Sequence, residues 1–524
     1  MGYIPNLFNF WVVVYVAVGA TACSYGLAIL GSTVGQPSFF ASLGLEADPT
    51  APGYDRTAGL IGAFNGVNSA GALLGSLSNA YLADRFSRKY TIQIGASILV
   101  IGAALCAGSI NVAMFMVARI IAGFGIGILT CVIPMYQSEC SSPETRGFMV
   151  SMTGVCFAIG YMLSSWIGYG VYFISASGSN SSFPWRFPIA FQAAPALLLL
   201  VGSKLLPFSP RWLMQQARYD EAYAVLKRLH TRKGEETHEQ VEKEFYQLKR
   251  QVQYDHEQQA SISTFEVFKT PSNRKRCMIA CIMMFCNMFT GSLLIANYAV
   301  IIFTNLGLTG SVPLLLLAIW VSISLPGNIF TALFIDKFGR RGFMLTGIAG
   351  MFVSLVCETV LQAKFTGTDN KAVGHAAIFF IYLFICFWSS CMDASQFLYL
   401  SEIFPTQIRG QGTAVGMCAW YTGQIIILVA GPIGLTNIGW KFLLVMVVPT
   451  GIYWFLVFFL FPETRQKSLE DINEAFGEVT VVHYAGATAE EEQEYYEVIG
   501  KGHVEETARS IPGEAEKMAV GTKM

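Results

Sequence analysis

Charge is what this chain has least of. Only 13% of its 524 residues are Asp, Glu, Lys or Arg, against roughly 25% in an ordinary soluble domain. Too few charged groups are left to cover a water-exposed surface. Histidine is scarce as well: the six (His230, His238, His256, His375, His483, His503) fall in expected loops or tails, with no pairing that suggests a metal site or a catalytic triad. An enzyme is therefore not expected, nor a metal site or a cofactor. A formal net charge of −1 offers no basic excess for a nucleic acid. The twelve cysteines lie almost wholly inside apolar runs (Cys23, Cys106, Cys131, Cys281, Cys386), without metal-ligand spacing or the loop placement of a disulfide framework. They read as small buried hydrophobes. A cleavable signal peptide is not expected either, since the first apolar run is too long and has no charged n-region.

What is present is apolar sequence: 53% hydrophobic residues, with a mean hydropathy of +0.48. Runs of about 20 residues, the length that crosses a bilayer as a helix, recur twelve times: near Phe8–Leu30, Ala58–Leu82, Thr91–Ser109, Val112–Met135, Phe148–Ile174 and Phe187–Leu206, then near Met278–Thr304, Val312–Ile335, Phe343–Gln362, Ala376–Leu400, Thr413–Pro432 and Phe442–Phe461. Backbone groups in lipid must find their partners within the chain, so these runs are helices. The expected fold is an all-α membrane protein of twelve spans, numbered here in chain order.

The spans come in two copies. Asp84-Arg85-Phe86-Ser87-Arg88-Lys89 returns as Asp336-Lys337-Phe338-Gly339-Arg340-Arg341, 252 residues later. Glu139 followed by Arg146-Gly147 returns as Glu402 followed by Arg409-Gly410, offset by 263. Pro207-Phe208-Ser209-Pro210-Arg211 returns more loosely as Pro462-Glu463-Thr464-Arg465, offset by 255. Three pairs in one order describe two six-helix, pseudo-symmetric bundles, the architecture of a duplicated transporter. The expected divisions are residues 1–206, a cytosolic loop with short helices at 207–276, a second bundle at 277–461 and a largely disordered tail at 462–524.

With both termini inside, outward loops carry three Lys or Arg (Arg56, Lys364, Lys371) and inward loops carry 21. That asymmetry puts the 207–276 loop and both termini in the cytosol. Asn180-Ser181-Ser182 is a glycosylation triplet in a loop expected outside. Within the 207–276 loop, Ala222, Val225 and Leu229 have helical spacing among mixed charges, which predicts short amphipathic helices.

The motif set resembles the sugar porter family of the major facilitator superfamily along nearly all of the chain, fungal hexose transporters in particular. Arg119-x3-Gly123-x-Gly125-x-Gly127, Pro134-x-Tyr136-x2-Glu139 and Arg146-Gly147 match the family's fourth span and the loop after it. Asp336-x2-Gly339-Arg340-Arg341 matches the loop after the eighth. Pro210-Arg211-Trp212-Leu213 follows the sixth span, and Pro462-Glu463-Thr464 the twelfth. The resemblance implies a major facilitator fold, and alternating-access movement of a sugar or sugar-like solute by a monomer in the plasma membrane. Gly123, Gly125 and Gly127 are expected to let helices approach closely.

Paired charges at helix ends can bridge the two halves in one conformation and part in the other. Asp84, Arg85, Arg88, Glu139, Arg146, Arg211, Asp336, Arg340, Arg341, Glu402, Arg409 and Glu463 are expected to form such a gate. The alternative, topology-setting charges left in water, does not explain a matched Glu at fixed spacing in both halves.

At the solute site the chain departs from the family. Proton-coupled members carry a Gly-Tyr-Asp triplet in the first span, where this chain reads Ser24-Tyr25-Gly26. A Gln pair of the fifth span is replaced by Thr153-Gly154, and the Trp of the tenth falls at Phe397. The seventh reads Asn287-Met288-x-x-Gly291-x-Leu293, then Asn297-Tyr298. Each solute hydroxyl buried without a partner costs roughly 1–3 kcal/mol, so other polar groups must serve: Asn65, Asn287, Asn297, Tyr298, Ser324, Gln396, Trp420 and Gln424, on spans that line the family's cavity. Each could instead be an interhelical hydrogen bond, and a non-sugar organic molecule such as an aromatic acid fits the rewritten site too. Without the first-span acid, facilitation is the expected default. Arg119, which would pair with that acid, and Asp393, roughly 13 Å into the membrane from Glu402 by helical rise, are the residues left for coupling. A non-transporting sensor is a further alternative, opposed by intact gate charges in both halves.

Overall fold

The computed structural model describes residues 6–465 apart from 35, 47–53, 143–144, 177–181, 232–240, 243, 247, 250–265, 309, 366–370 and 406–407, together with Ile472 and Phe476. Asn180, and most of the tail, lie outside the described residues. The regular structure among the described residues is helical, as the lack of water in lipid requires.

Among the described residues eleven helices are long and apolar enough to cross a membrane, one fewer than the sequence predicts. The second and third spans run together as Tyr54–Ala107, divided at Ser87 by a backbone at φ 76, ψ 158. The repeat-equivalent Gly339 has nearly the same conformation, φ 86, ψ 158, between Val312–Phe338 and Arg340–Phe365. The twelve-span reading thus holds, with one turn too tight to interrupt the helix. The other spans are Leu7–Thr33, Val112–Cys140, Arg146–Ala176, Arg409–Ile438 and Leu444–Leu460, with three broken ones. The sixth is split into Phe183–Phe191 and Ala193–Gly202. The seventh is split into Pro271–Met288 and Ser292–Asn305 around Gly291 at φ 94. The tenth runs Lys371–Phe387, then a π-helical turn at Trp388–Met392, then Asp393–Glu402. His375, expected in a loop, lies in the first of these pieces.

Close backbone approach sets the bundle packing. A Cβ at Gly123 or Gly127 would stand 2.0 Å from the carbonyl oxygen of Asn68 or 1.9 Å from that of Ala72 on the second span. Gly125 meets Leu99 of the third in the same way. Any side chain there would push these spans apart, as expected for small residues at membrane helix contacts.

On the face that carries the 207–276 segment, called the loop face, short helices Pro210–Gln215 and Tyr219–His230 form a satellite core of Trp212, Leu213, Met214, Ala222 and Leu226 with Val241 and Leu248. Ser209 caps the first helix by accepting from Trp212 N–H.

Candidate functional site

Four loop-face charges, Arg88, Glu139, Arg340 and Glu402, are buried and paired. In the first half, Arg88 Nη2 donates to Glu139 Oε1 at 3.0 Å and lies near Asp84 at 3.4 Å. Ser209 donates to the other Glu139 oxygen at 2.5 Å. In the second half, Arg340 Nη2 donates to Glu402 Oε1 at 2.9 Å and its Nη1 pairs with Asp336 at 2.9 Å, while Thr464 donates to Glu402 at 2.8 Å. The two clusters are the same construction built twice. Burying an ion is expensive, and these are tolerated because each carboxylate gathers several donors.

Other contacts cross the seam between halves. Arg409 Nη1 lies 3.8 Å from Glu139 Oε1. Asp336 accepts from Phe148 N–H at 3.0 Å, at the start of the fifth span. A carboxylate is favoured there by the helix dipole. Gly147 leaves it room: a Cβ would stand 1.8 Å from Asp336 Oδ1. Asp84 sits over Gly410 in the mirrored arrangement, 3.2 Å from where its Cβ would be. Glu463 caps the ninth span, accepting from Arg340 N–H at 2.9 Å and Arg341 N–H at 3.1 Å. Arg85 is exposed, whereas Arg146 and Arg211 are buried.

Between the halves lies a cavity with an empty volume of about 630 Å³, its open mouth included. Phe157 and Tyr161 of the fifth span face Met288, Ser292, Trp320, Ser324, Trp388, Asp393, Gln396, Phe397 and Trp420 of the second half. Phe157 and Phe397 stack across it with centroids 5.3 Å apart. On the side away from the loop face the halves also touch. Trp166 donates to Ser322 at 2.9 Å, and a Cβ at Gly31 would stand 3.4 Å from the carbonyls of Ala296 and Asn297. Deeper in, Thr130 and Tyr421 share a hydrogen bond of 2.8 Å.

The candidate polar residues divide. Ser324, Gln396 and Trp420 line the cavity. Asn287 donates to Gln396 at 2.5 Å from just outside it. The indole N–H of Trp420, at the cavity, is buried without a hydrogen-bond partner; the Asn287 and Gln424 amide oxygens are unpartnered too, but neither residue is among those that line the cavity. Asn65, Asn297 and Tyr298 are not among the lining residues. Asn65 accepts from Arg119 at 3.4 Å, Asn297 donates to Leu293 O at 3.1 Å and Tyr298 donates to Leu428 O at 2.6 Å. Sequence reasoning missed Phe157, Tyr161, Trp320 and Trp388, which resemble lipid-facing aromatics in a linear reading. It also missed Ser209 and Thr464, whose signal was available because they occupy matching places in the third repeat.

Arg119 reaches the carbonyls of Gly26 at 3.2 Å and Phe64 at 3.4 Å. Among the described residues no carboxylate forms an ion pair with it. A Cβ at Gly26, where coupled relatives carry the acid, would stand 2.1 Å from Gln192 Nε2. That space is filled by an amide.

Two bundles joined across a cavity, with a duplicated charge cluster on one side, fit a membrane transporter rather than an enzyme. The family described as "Sugar (and other) transporter" matches residues 12–476. The chain belongs to that family. It is 29% identical over 460 residues to the MFS-type transporter criB of Aspergillus cristatus, covering 88% of this chain and 91% of that one. It is 30% identical to the sugar transporter STL1 of Saccharomyces cerevisiae over 81% of this chain and 74% of that one. The proton:xylose symporter XylE bound to 6-bromo-6-deoxy-D-glucose superposes with a TM-score of 0.76 at 22% identity, over 90% of this chain and 99% of that chain.

Proposed function

We propose that the chain moves a neutral sugar or polyol by alternating access, with the loop face and both termini in the cytosol of a plasma-membrane monomer. The observation that carries this reading is the Arg409–Glu139 contact across the seam, beneath a cavity that both halves line. Opening toward the loop face must part that contact together with Phe148–Asp336, so the charges hold the loop face closed until the halves rock. Within the cavity, aromatic faces pack against the C–H surface of a sugar ring. Trp420 N–H and the amide of Gln396, backed by Asn287, meet its hydroxyls. The same aromatic lining favours a second reading, a more apolar organic solute.

Radiolabelled uptake in hexose-transporter-null yeast tests both, against a panel of hexoses, pentoses, polyols, disaccharides and aromatic acids. Uptake of a sugar or polyol that Trp420→Phe weakens is the expected result. Verified surface expression with uptake of aromatic acids alone would establish the second reading. No uptake of any solute would favour a sensor.

A further inference from the structure

Asp393 is a carboxylate at membrane depth with no cation beside it. It is buried, and its Oδ2 accepts from Asn328 Nδ2 at 2.9 Å. Among the described residues no Lys, Arg or His forms an ion pair with it. Among the described residues Tyr161 of the fifth span is a titratable group that shares the cavity wall with it. Glu358 of the ninth is held by Gln362 at 3.0 Å, outside the cavity lining. An ionised carboxylate out of water and without a counter-ion costs several kcal/mol, and such groups inside membranes mark ion and proton paths.

Its surroundings change with the seam. On one side Asp393 borders the cavity. On the other, the fifth span covers its Asn328 partner: a Cβ at Gly154 would stand 2.5 Å from Asn328 Oδ1 and 2.5 Å from the Cβ of Ala394. Gly154 belongs to the first half, Asn328 and Ala394 to the second. Parting the halves at the loop face withdraws Gly154 and uncovers the pair from that direction. Asn328 Oδ1 is buried without a hydrogen-bond partner, so its amide is held by one side only.

We propose that Asp393, positioned by Asn328, is an alternately accessible proton site that couples proton movement to transport from the second half, in place of the acid absent at Gly26. This rests on the alternating-access reading above. Asp393 takes a proton from hydronium in the cavity, one hydronium O–H bond breaking as the carboxyl O–H forms and a water being left. At the loop face the carboxyl O–H breaks as the proton passes to a water there, which becomes hydronium. The facilitation expected from Gly26 is what flux would show if Asp393 were idle.

The test uses the full chain purified into liposomes. Dicyclohexylcarbodiimide, which reacts with protonated carboxyls in apolar surroundings, is added at pH 6 and at pH 8, and adducts are located by mass spectrometry. Labelling of Asp393 that slows at pH 8 is expected. No adduct at either pH, or one indifferent to pH, overturns the proposal without any knowledge of the solute. In a second arm, labelled D-glucose, D-xylose and sorbitol are given an inward proton gradient of about one pH unit, which drives at most about tenfold accumulation per proton carried. Wild type is expected to accumulate the solute it exchanges. In Asp393→Asn the accumulation ratio falls to one, whatever exchange rate remains. Counterflow without accumulation in wild type overturns the coupling while leaving alternating access standing. Absence of counterflow with every solute counts against the transport reading, and the labelling arm still decides the proton site.

Discussion

The fourth and tenth spans are copies of one helix, and they end alike but are loaded differently inside the membrane. Glu139 and Glu402 hold matching arginines at the loop face, Arg88 and Arg340, each with a hydroxyl donor behind. Deeper in, among the described residues, the fourth span carries Arg119 without an ion-paired acid, and the tenth carries Asp393 without an ion-paired cation. By the 263-residue offset, the place of Asp393 is taken in the fourth span by Thr130, which spends its hydroxyl on Tyr421 across the seam. The duplication has been kept in the charge clusters at the loop face and abandoned deeper in the membrane, around the cavity.

The sharpest break of this symmetry is at the two glutamates. Glu139→Ala removes a carboxylate shared by two buried arginines, Arg88, which keeps Asp84 at 3.4 Å, and Arg409 across the seam, an expected loss of about 3–5 kcal/mol. Glu402→Ala costs less, because Glu402 serves one arginine, Arg340, which keeps Asp336 at 2.9 Å. Thermal unfolding in detergent measures the difference, and equal losses would mean the Arg409 contact adds nothing.

Next come the paired turns. Ser87 holds a backbone conformation that favours glycine, whereas Gly339 has the residue that fits it. Ser87→Gly is expected to stabilise by about 1 kcal/mol. Gly339→Ser is expected to cost at least 1–3 kcal/mol, since a Cβ there would stand 2.6 Å from Glu463 Oε2 and displace the cap of the ninth span. Opposite signs in a paired melting experiment are the expected outcome.

Restoring an acid sharpens the comparison further. Gly26→Asp alone collides with Gln192 and is expected to express poorly. Paired with Gln192→Ala, it gives Arg119 a partner and should recover expression, measured by fluorescence size exclusion.

A smaller effect concerns His230 at the end of Tyr219–His230. Its Nδ1 lies 2.7 Å from Glu244 and its Nε2 3.0 Å from the carbonyl of Cys140. Burial opposes its charge, but Glu244 outweighs burial and raises it above the ordinary histidine value, while Arg146 works the other way. Burial likewise opposes charge on Glu244, yet His230, helped by Arg211 and Arg146, holds it below the usual carboxylate range. The histidine contribution is therefore full below about pH 6.5 and is lost as pH rises through the raised value. The glutamate contribution is present above about pH 4.3 and lost as pH falls through the lowered one. Hydrogen exchange of residues 219–230 should be slowest between these limits, and His230→Gln should flatten the alkaline side. The least effect is expected at the exposed Arg218–Glu221 pair, 2.5 Å apart, where Arg218→Ala should change stability by a few tenths of a kcal/mol.

The paired charge clusters were legible because they are written twice: Glu139 and Glu402 announce each other by spacing alone. The cavity was not, because nothing repeats there. Asn297 and Tyr298 follow the break at Gly291, and that break sets which way the second piece of the seventh span faces. Their polarity marks them, but only the fold shows them turned to Leu293 and Leu428. Trp320 and Trp388 carry no signal that separates a solute-facing indole from a lipid-facing one.

The π-helical turn at Trp388–Met392 puts one more residue into a turn than an α-helix holds. Each residue advances an α-helix by about 100°. The surplus residue therefore acts as a phase setter for everything after it. A deletion of a single codon in that turn would rotate Asp393, Gln396 and Glu402 together, unhooking acid, amide and gate in one step. Point substitutions in this region tune one contact at a time, whereas a change of length resets the whole face that the tenth span presents.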